Sequence, residues 1–305
     1  GHVRASGLRH SDQIKEMTKF VPKEIEGNVN VVKDNPLKVF FKAIVGLCIL
    51  LFLSFTVFVG IAEIAINYLP NRINHSLGAV YRSYAKTPDH LQADRERIQK
   101  LLDEMLVGSG LEDLSFRAEI IEAEFKNAMA VPGGYIVFTT ALLEELEIEQ
   151  ELAFILGHEL GHYRNSDHLR SLSRSVIVGA LLGIVSTAGA GEAGRFAASS
   201  LNIFNLQYSR EQEQAADEFG LEMSQRHYHY VAGAISAIQR LYQEGEVLKT
   251  ANGFLSTHPI TVYRIGHMKE VIEAKGYPRP GPDALIPFSF SVPKEGDDVA
   301  SETVD

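Results

Sequence analysis

The spacing of apolar residues along this 305-residue chain changes from segment to segment. From Ala43 to Ala62 the run AIVGLCILLFLSFTVFVGIA holds twenty consecutive residues without a charge, about the length a helix needs to cross a bilayer. A buried helix of a soluble core normally keeps a polar stripe, and a cleaved leader has a shorter apolar stretch, so the run predicts one transmembrane helix. Cys48 inside it reads as a small buried apolar side chain. Further on, Leu91, Ile98, Leu101, Leu102 and Met105 recur at helical spacing, with Thr87 as cap and Pro88 in the first turn. The stretch SFRAEIIEAEFKNAMAVPGGYIVFTT places two β-prone runs around Pro132-Gly133-Gly134, which predicts a hairpin. Helical spacing returns from Ala141 through Arg164, and again over 206–226, 231–244 and 261–274. A second uncharged run, Val176–Gly191, predicts a helical element over 176–205, packed on the domain or dipping into the lipid interface. From Pro278 onward proline recurs and the end is acidic, the composition of a flexible tail.

Together these elements predict an α+β, mainly helical domain with a small β-hairpin or sheet, preceded by one transmembrane helix. The expected division is an N-terminal segment over 1–38, an anchor over 39–66, a linker over 67–86, the main domain over 87–277 and a tail over 278–305. Charge adds an orientation. The net charge is −10, yet residues 1–42 carry eight Lys/Arg against five Asp/Glu, which leaves −13 for the rest. An acidic main body argues against nucleic acid as a partner. The basic excess before the apolar run places the N-terminus in the cytoplasm and the main domain outside it, on the periplasmic side of the inner membrane in a Gram-negative bacterium. One cysteine excludes an intrachain disulfide.

Candidate chemistry sits in the segment FILGHELGHYRNSDH. His158-Glu159-Leu160-Gly161-His162 is an H-E-x-x-H: on a helix the two histidines lie one turn apart on one face and can reach one zinc ion, with Glu159 beside the first as a proton acceptor. The apolar neighbours Leu152, Phe154, Ile155, Leu156 and Leu160 make this helix core-bound, and buried polar groups need partners. Two residues compete for the third ligand. His168 has the ten-residue spacing of the metzincin pattern, with Asn165 where that pattern has a turning glycine. Glu213 lies one helical turn before Asp217 in YSREQEQAADEFG, so a ligand carboxylate would have a second one behind it to orient a ligand imidazole. Spacing alone leaves both open.

Four segments occur together: H-E-L-G-H, S-R-x-x-E-x-x-A-D (Ser209, Arg210, Glu213, Ala216, Asp217), N-A-x-A-x-P-G-G-x-I (Asn127 to Ile136) and H-P-x-x-x-x-R (His258, Pro259, Arg264). With the Asn127 segment preceding the histidines, the set resembles the membrane-associated zinc endopeptidases that include the CAAX prenyl proteases, the HtpX heat-shock proteases and the Oma-type proteases. The likeness covers about residues 85 to 275. It implies one zinc per chain held by His158, His162 and Glu213, with Asp217 behind them and Glu159 as the base. It also implies that His258 and Arg264 stand at the cleft, His258 donating to the forming oxyanion or filling zinc's fourth position as a latch. Arg264 would anchor substrate or the loop. Asn127, Ala128, Met129 and Ala130 would offer a strand edge to an extended polypeptide. The expectation is a membrane-anchored endopeptidase acting on unfolded or damaged membrane and envelope proteins, with the bilayer as its other partner. Two alternatives stand beside it: a chaperone or adaptor that keeps the fold without cleavage, and a metzincin-type protease using His168.

Overall fold

The computed structural model describes residues 35–82, 86–185, 208–245, 257–259 and 262–290. The chain divides at Leu50 into two units. Of the first, the described part is the beginning of helix α1 (Pro36–Tyr68), whose apolar side chains, Leu37, Phe40, Phe41 and Val45 among them, are exposed. With 33 residues α1 is long and apolar enough to cross a bilayer. Cys48, expected to be buried, is exposed on it. An outward-facing apolar surface of this kind suits lipid.

The second unit is mainly helical around a three-stranded sheet. A short helix, α2 (Pro70–Tyr81), occupies most of the span expected to be linker. Pro70 starts it without needing a backbone donor. A 3-10 turn at Asp89–Leu91 leads into α3 (Gln92–Leu106), which buries Ile98, Leu101, Leu102 and Met105 on one face as its spacing predicts. Thr87 does not cap that helix. Its hydroxyl donates to Glu119 Oε2 at 2.6 Å and accepts from the Ile120 amide at 2.8 Å, so it ties the chain to the first strand.

The sheet contains β1 (Arg117–Ile121), β2 (Ala128–Val131) and β3 (Tyr135–Thr139) in the order β1-β3-β2. β2 and β3 form the expected antiparallel hairpin across Pro132–Gly134, with Met129 opposite Val137. β1 is a separate strand, parallel to β3, with Ala118 opposite Ile136. Among the described residues β2 is therefore a sheet edge. The helix expected from Ala141 to Arg164 is broken. α4 (Thr140–Leu143) ends, and α5 (Glu149–Arg164) begins after Ile148 has bridged to Pro287. The Glu149 amide donates to Ile286 O and the Phe288 amide to Glu147 O, both at 2.8 Å, and Phe288 and Phe290 are buried. The chain from 278 to 290 is thus packed, contrary to a flexible tail starting at Pro278. It buries two aromatic rings, which offsets the ordering of a proline-rich stretch.

α5 is the central helix, with every residue from Gln150 to Tyr163 buried. α6 (Asp167–Val185) follows a two-residue turn in which Ser166 takes φ 56°, while Asn165 stays right-handed. The left-handed residue is thus not the asparagine that the metzincin spacing would use. Residues 186–205 of the predicted second apolar element lie outside the described residues. α7 (Arg210–Tyr228) opens with a capping box: Ser209 Oγ accepts from the Gln212 amide, and the Ser209 amide donates to Gln212 Oε1 at 2.8 Å. α8 (Ala234–Gly245) and α9 (Val262–Ala274) complete the described core. α5 and α7 cross at van der Waals limits. A Cβ on Gly157 would lie 2.9 Å from the Gly220 Cα, and one on Gly161 2.9 Å from the Ala216 Cα. Those glycines allow Glu213 on α7 to reach the histidines on α5.

Candidate metal centre

His158 and His162 project from one face of α5, and their Nε2 atoms are 3.2 Å apart. Glu213, in the first turn of α7, brings Oε1 to 3.4 Å from His162 Nε2 and Oε2 to 3.7 Å from His158 Nε2. His258 closes the group: its Nδ1 is 3.2 Å from His158 Nε2 and 2.9 Å from Glu213 Oε1. All four donor atoms lie within 4.8 Å of one another, and all four residues are buried. A tetrahedral zinc with bonds of about 2.0–2.1 Å separates its ligand atoms by about 3.4 Å, so the spacing suits that ion.

Each ligand imidazole is held from behind. Asp217 Oδ1 lies 3.0 Å from His158 Nδ1, and Asp167 Oδ2 lies 3.1 Å from His162 Nδ1. Both contacts put the proton on Nδ1 and leave Nε2 as the donor toward metal. Asp217 was expected there; Asp167 was not. It reaches His162 only because the chain reverses at Ser166, and Gln212 donates to its other oxygen at 2.7 Å. Tyr208, also missed, stacks on His162 with centroids 3.9 Å apart.

Charge supports the same fit. Glu159, Asp167, Glu213 and Asp217 are all buried; among the described residues Arg264 is the buried permanent cation beside them, and Arg170 stands 4.0 Å from Asp167. Buried carboxylates need compensation, and a dication between the imidazoles supplies it. Burial pulls His158 below its ordinary value despite Asp217. Burial acts on His162 in the same direction, but Asp167 and Glu213 outweigh it and raise the group to about 9. Glu213 is held well below the carboxylate range: burial would raise it, and His258, His162 and Arg264 more than reverse that. Glu159 goes the other way, pushed up by burial against His158, His162 and the Ala130 amide.

The remaining predicted residues fall into place unequally. Glu159 Oε2 accepts from the Ala130 amide at 2.8 Å, so the base faces the edge strand β2. Ala128, Met129 and Ala130 lie on that strand, and Asn127 just precedes it, with the Thr257 hydroxyl 3.4 Å from its Oδ1. His258 Nε2 is 3.5 Å from Glu159 Oε1, which places the imidazole over the base. Arg264, expected to anchor substrate or the loop, is buried behind the donor group, with Nη1 donating to Pro259 O in the segment after His258 at 3.4 Å. It donates to both Asp217 oxygens, at 2.9 and 2.7 Å, and pairs with Glu213 Oε2. A planar guanidinium can bridge two carboxylates in this way. His168 is not in the donor group. It is buried with Nε2 2.8 Å from Asn74 Oδ1 and its ring stacked on Tyr163, and burial lowers it to about 3.

Two histidines one turn apart with a glutamate between them, and a glutamate from a second helix, form the donor pattern of a zincin-like metallopeptidase of the glutamate-ligand kind. Known proteins give the same result. The chain is 29% identical over 177 residues to the mitochondrial metalloendopeptidase OMA1 of Schizosaccharomyces pombe, covering 57% of this chain and 51% of that one. It is 28% identical over 162 residues to the beta-barrel assembly-enhancing protease of Yersinia pestis (49% of this chain, 33% of that one). It is 22% identical over 175 residues to the metalloprotease LoiP of Escherichia coli (56% and 68%). This chain spans about half the length of the fission-yeast relative. Residues 92–272 match Peptidase family M48, and the chain belongs to that family of zinc metallopeptidases.

Proposed function

We propose that this protein is a membrane-anchored endopeptidase that cleaves unfolded or damaged membrane and envelope proteins, with its catalytic domain outside the cytoplasm. The observation that carries the peptidase reading is Glu159 standing between two converging histidines and the amide of an edge strand. His158, His162 and Glu213 would hold zinc, with Asp217, Asp167 and Arg264 fixing their orientation. When bound, zinc supplies Lewis acidity toward the attacking water and the scissile carbonyl. Glu159 takes the proton from that water and delivers it to the leaving amine. Its elevated affinity for a proton suits both halves of that task. The outward carbonyls of β2 at Ala128 and Ala130 bind substrate main chain, which favours extended polypeptide and reads little sequence.

Purified enzyme should degrade an unfolded protein such as casein, and a chelator should abolish this. Glu159→Gln should keep zinc and fold yet lose cleavage by about 10²-fold or more, because an amide cannot accept the proton. Full cleavage by that variant would remove Glu159 from the role. A metal-loaded protein that binds casein without cutting it would leave the chaperone or adaptor reading. His258 takes a second role in the proposal. With Nδ1 among the metal donors and Nε2 over Glu159, it fills the fourth position and holds the resting enzyme latent.

A further inference from the structure

The segment between the membrane helix and the peptidase domain has no slack. Leu69 alone separates α1 from α2, and α2 is fastened at three places. Asn74 holds His168 at 2.8 Å, and Arg82 Nε donates to the Tyr135 hydroxyl at 3.2 Å. Gly78 lies so close to the β2–β3 turn that a Cβ on it would be 2.6 Å from the Gly133 Cα. The end of α1 is gripped as well. Arg170, on α6, donates from Nε to Glu63 Oε1 at 2.8 Å and from Nη2 to Asn67 Oδ1 at 2.7 Å. Glu63 is the first charged residue after Ala43–Ala62, so it marks the level where α1 leaves the hydrocarbon.

The same arginine leads back to the metal centre. Arg170 Nη1 is 4.0 Å from Asp167 Oδ1, and Asp167 Oδ2 is 3.1 Å from His162 Nδ1. With the widths of one carboxylate and one guanidinium added, the path from His162 to Glu63 is about 15 Å at most. Crossing the imidazole to the ion adds about 4 Å. The reacting bond is therefore confined to a layer within about 20 Å of the bilayer edge.

Building on the membrane-anchored peptidase reading, we propose that the grip of Arg170 on Glu63 and Asn67 is a specificity device. It fixes the height of the active site, and so selects membrane-tethered polypeptides cut in the stretch next to the lipid. A flexible tether of n residues spans about 5–6 Å × √n, so a site no more than about 20 Å above the membrane is matched by a spacer of about ten residues or fewer. Effective concentration then falls roughly as the −3/2 power of length, so a spacer of about forty residues should be cut about eightfold more slowly.

The test co-reconstitutes the full chain in phosphatidylethanolamine–phosphatidylglycerol vesicles with substrates made of one transmembrane helix, a Gly/Ser spacer of varied length and one cleavable segment. The wild type should show the optimum at about ten residues or fewer and a fall of about eightfold between about ten and about forty. Glu63→Ala and Asn67→Ala combined with a flexible insertion of about ten residues after Tyr68 should flatten the profile to within about twofold while a short soluble peptide is cut at the wild-type rate. A flat wild-type profile, or the same profile in the wild type and the combined variant, overturns the proposal. Loss of soluble-peptide cleavage in the wild type would count against the peptidase reading instead. A readout independent of activity keeps the two apart: a bimane on Pro259→Cys, with Cys48→Ser, beside His258. Headgroup-nitroxide lipid should quench it in the gripped protein and less so in the combined variant. No quenching in the gripped protein overturns the height assignment.

Discussion

Replacing Glu213 with alanine should strip most of the zinc from the purified protein, because it removes an anionic ligand and leaves Arg264 facing an emptied buried site. Replacing His168 should leave metal content near wild type, since its imidazole binds Asn74 and stacks on Tyr163 outside the donor group. Metal analysis of the two variants checks both statements, and zinc loss from the His168 variant alone would reverse the ligand assignment. His258 admits an equally direct measurement. If its imidazole fills the fourth position, His258→Ala should raise basal proteolysis and self-cleavage. A fall in kcat of about 10²-fold with zinc retained would make it the oxyanion donor instead. Burial lowers its proton affinity, which leaves a neutral ring able to serve as a metal ligand.

At the scale of elements, the site depends on how closely α5 and α7 approach. Gly161→Ala gains about 1 kcal/mol of helix propensity but places a methyl 2.9 Å from the Ala216 Cα, backbone that cannot move aside cheaply. Overpacking of this kind costs about 1–3 kcal/mol, so the variant should melt lower. The separation also carries Glu213 away from His158 and His162, so zinc affinity should fall by about tenfold or more. Wild-type affinity and melting temperature together would show that α7 tolerates the shift. The motif on α5 was legible because H-E-x-x-H and its helical period lie within one segment, and the hairpin because Pro132-Gly133-Gly134 punctuates it. What escaped depends on distant partners. β1 pairs in parallel with β3, the far strand of the hairpin, and α5 starts late because residues near Pro287 return to pair with Ile148. Asp167 was missed because its role needs a left-handed Ser166, a residue type with no strong preference for that conformation. α2 reads as linker in the sequence because its fastening contacts, Asn74 to His168 and Gly78 to Gly133, lie across the fold.

For the whole molecule, one measurement assigns the compartment of the entire site. The four donor residues come from α5, α7 and the segment before α9, yet their ligand atoms lie within 4.8 Å, so they share one side of any membrane. α1 is the described helix long and apolar enough to span. Arg4, Arg9, Lys15, Lys19, Lys23, Lys33, Lys38 and Lys42 precede its apolar run, whereas Arg72 and Arg82 are the basic residues that follow closely. Positive residues flanking a span are retained in the cytoplasm, so the zinc domain should be exported. Alkaline phosphatase fused after Thr250, which folds to an active enzyme only outside the cytoplasm, should be active. A fluorescent protein that needs the cytoplasm should be dark at the same point. Changing Lys33, Lys38 and Lys42 to glutamine should lower the phosphatase signal, because those charges are nearest to the span and carry most of the retention. A dark phosphatase fusion beside a bright cytoplasmic one would invert the protein and move its substrates to the cytoplasmic face.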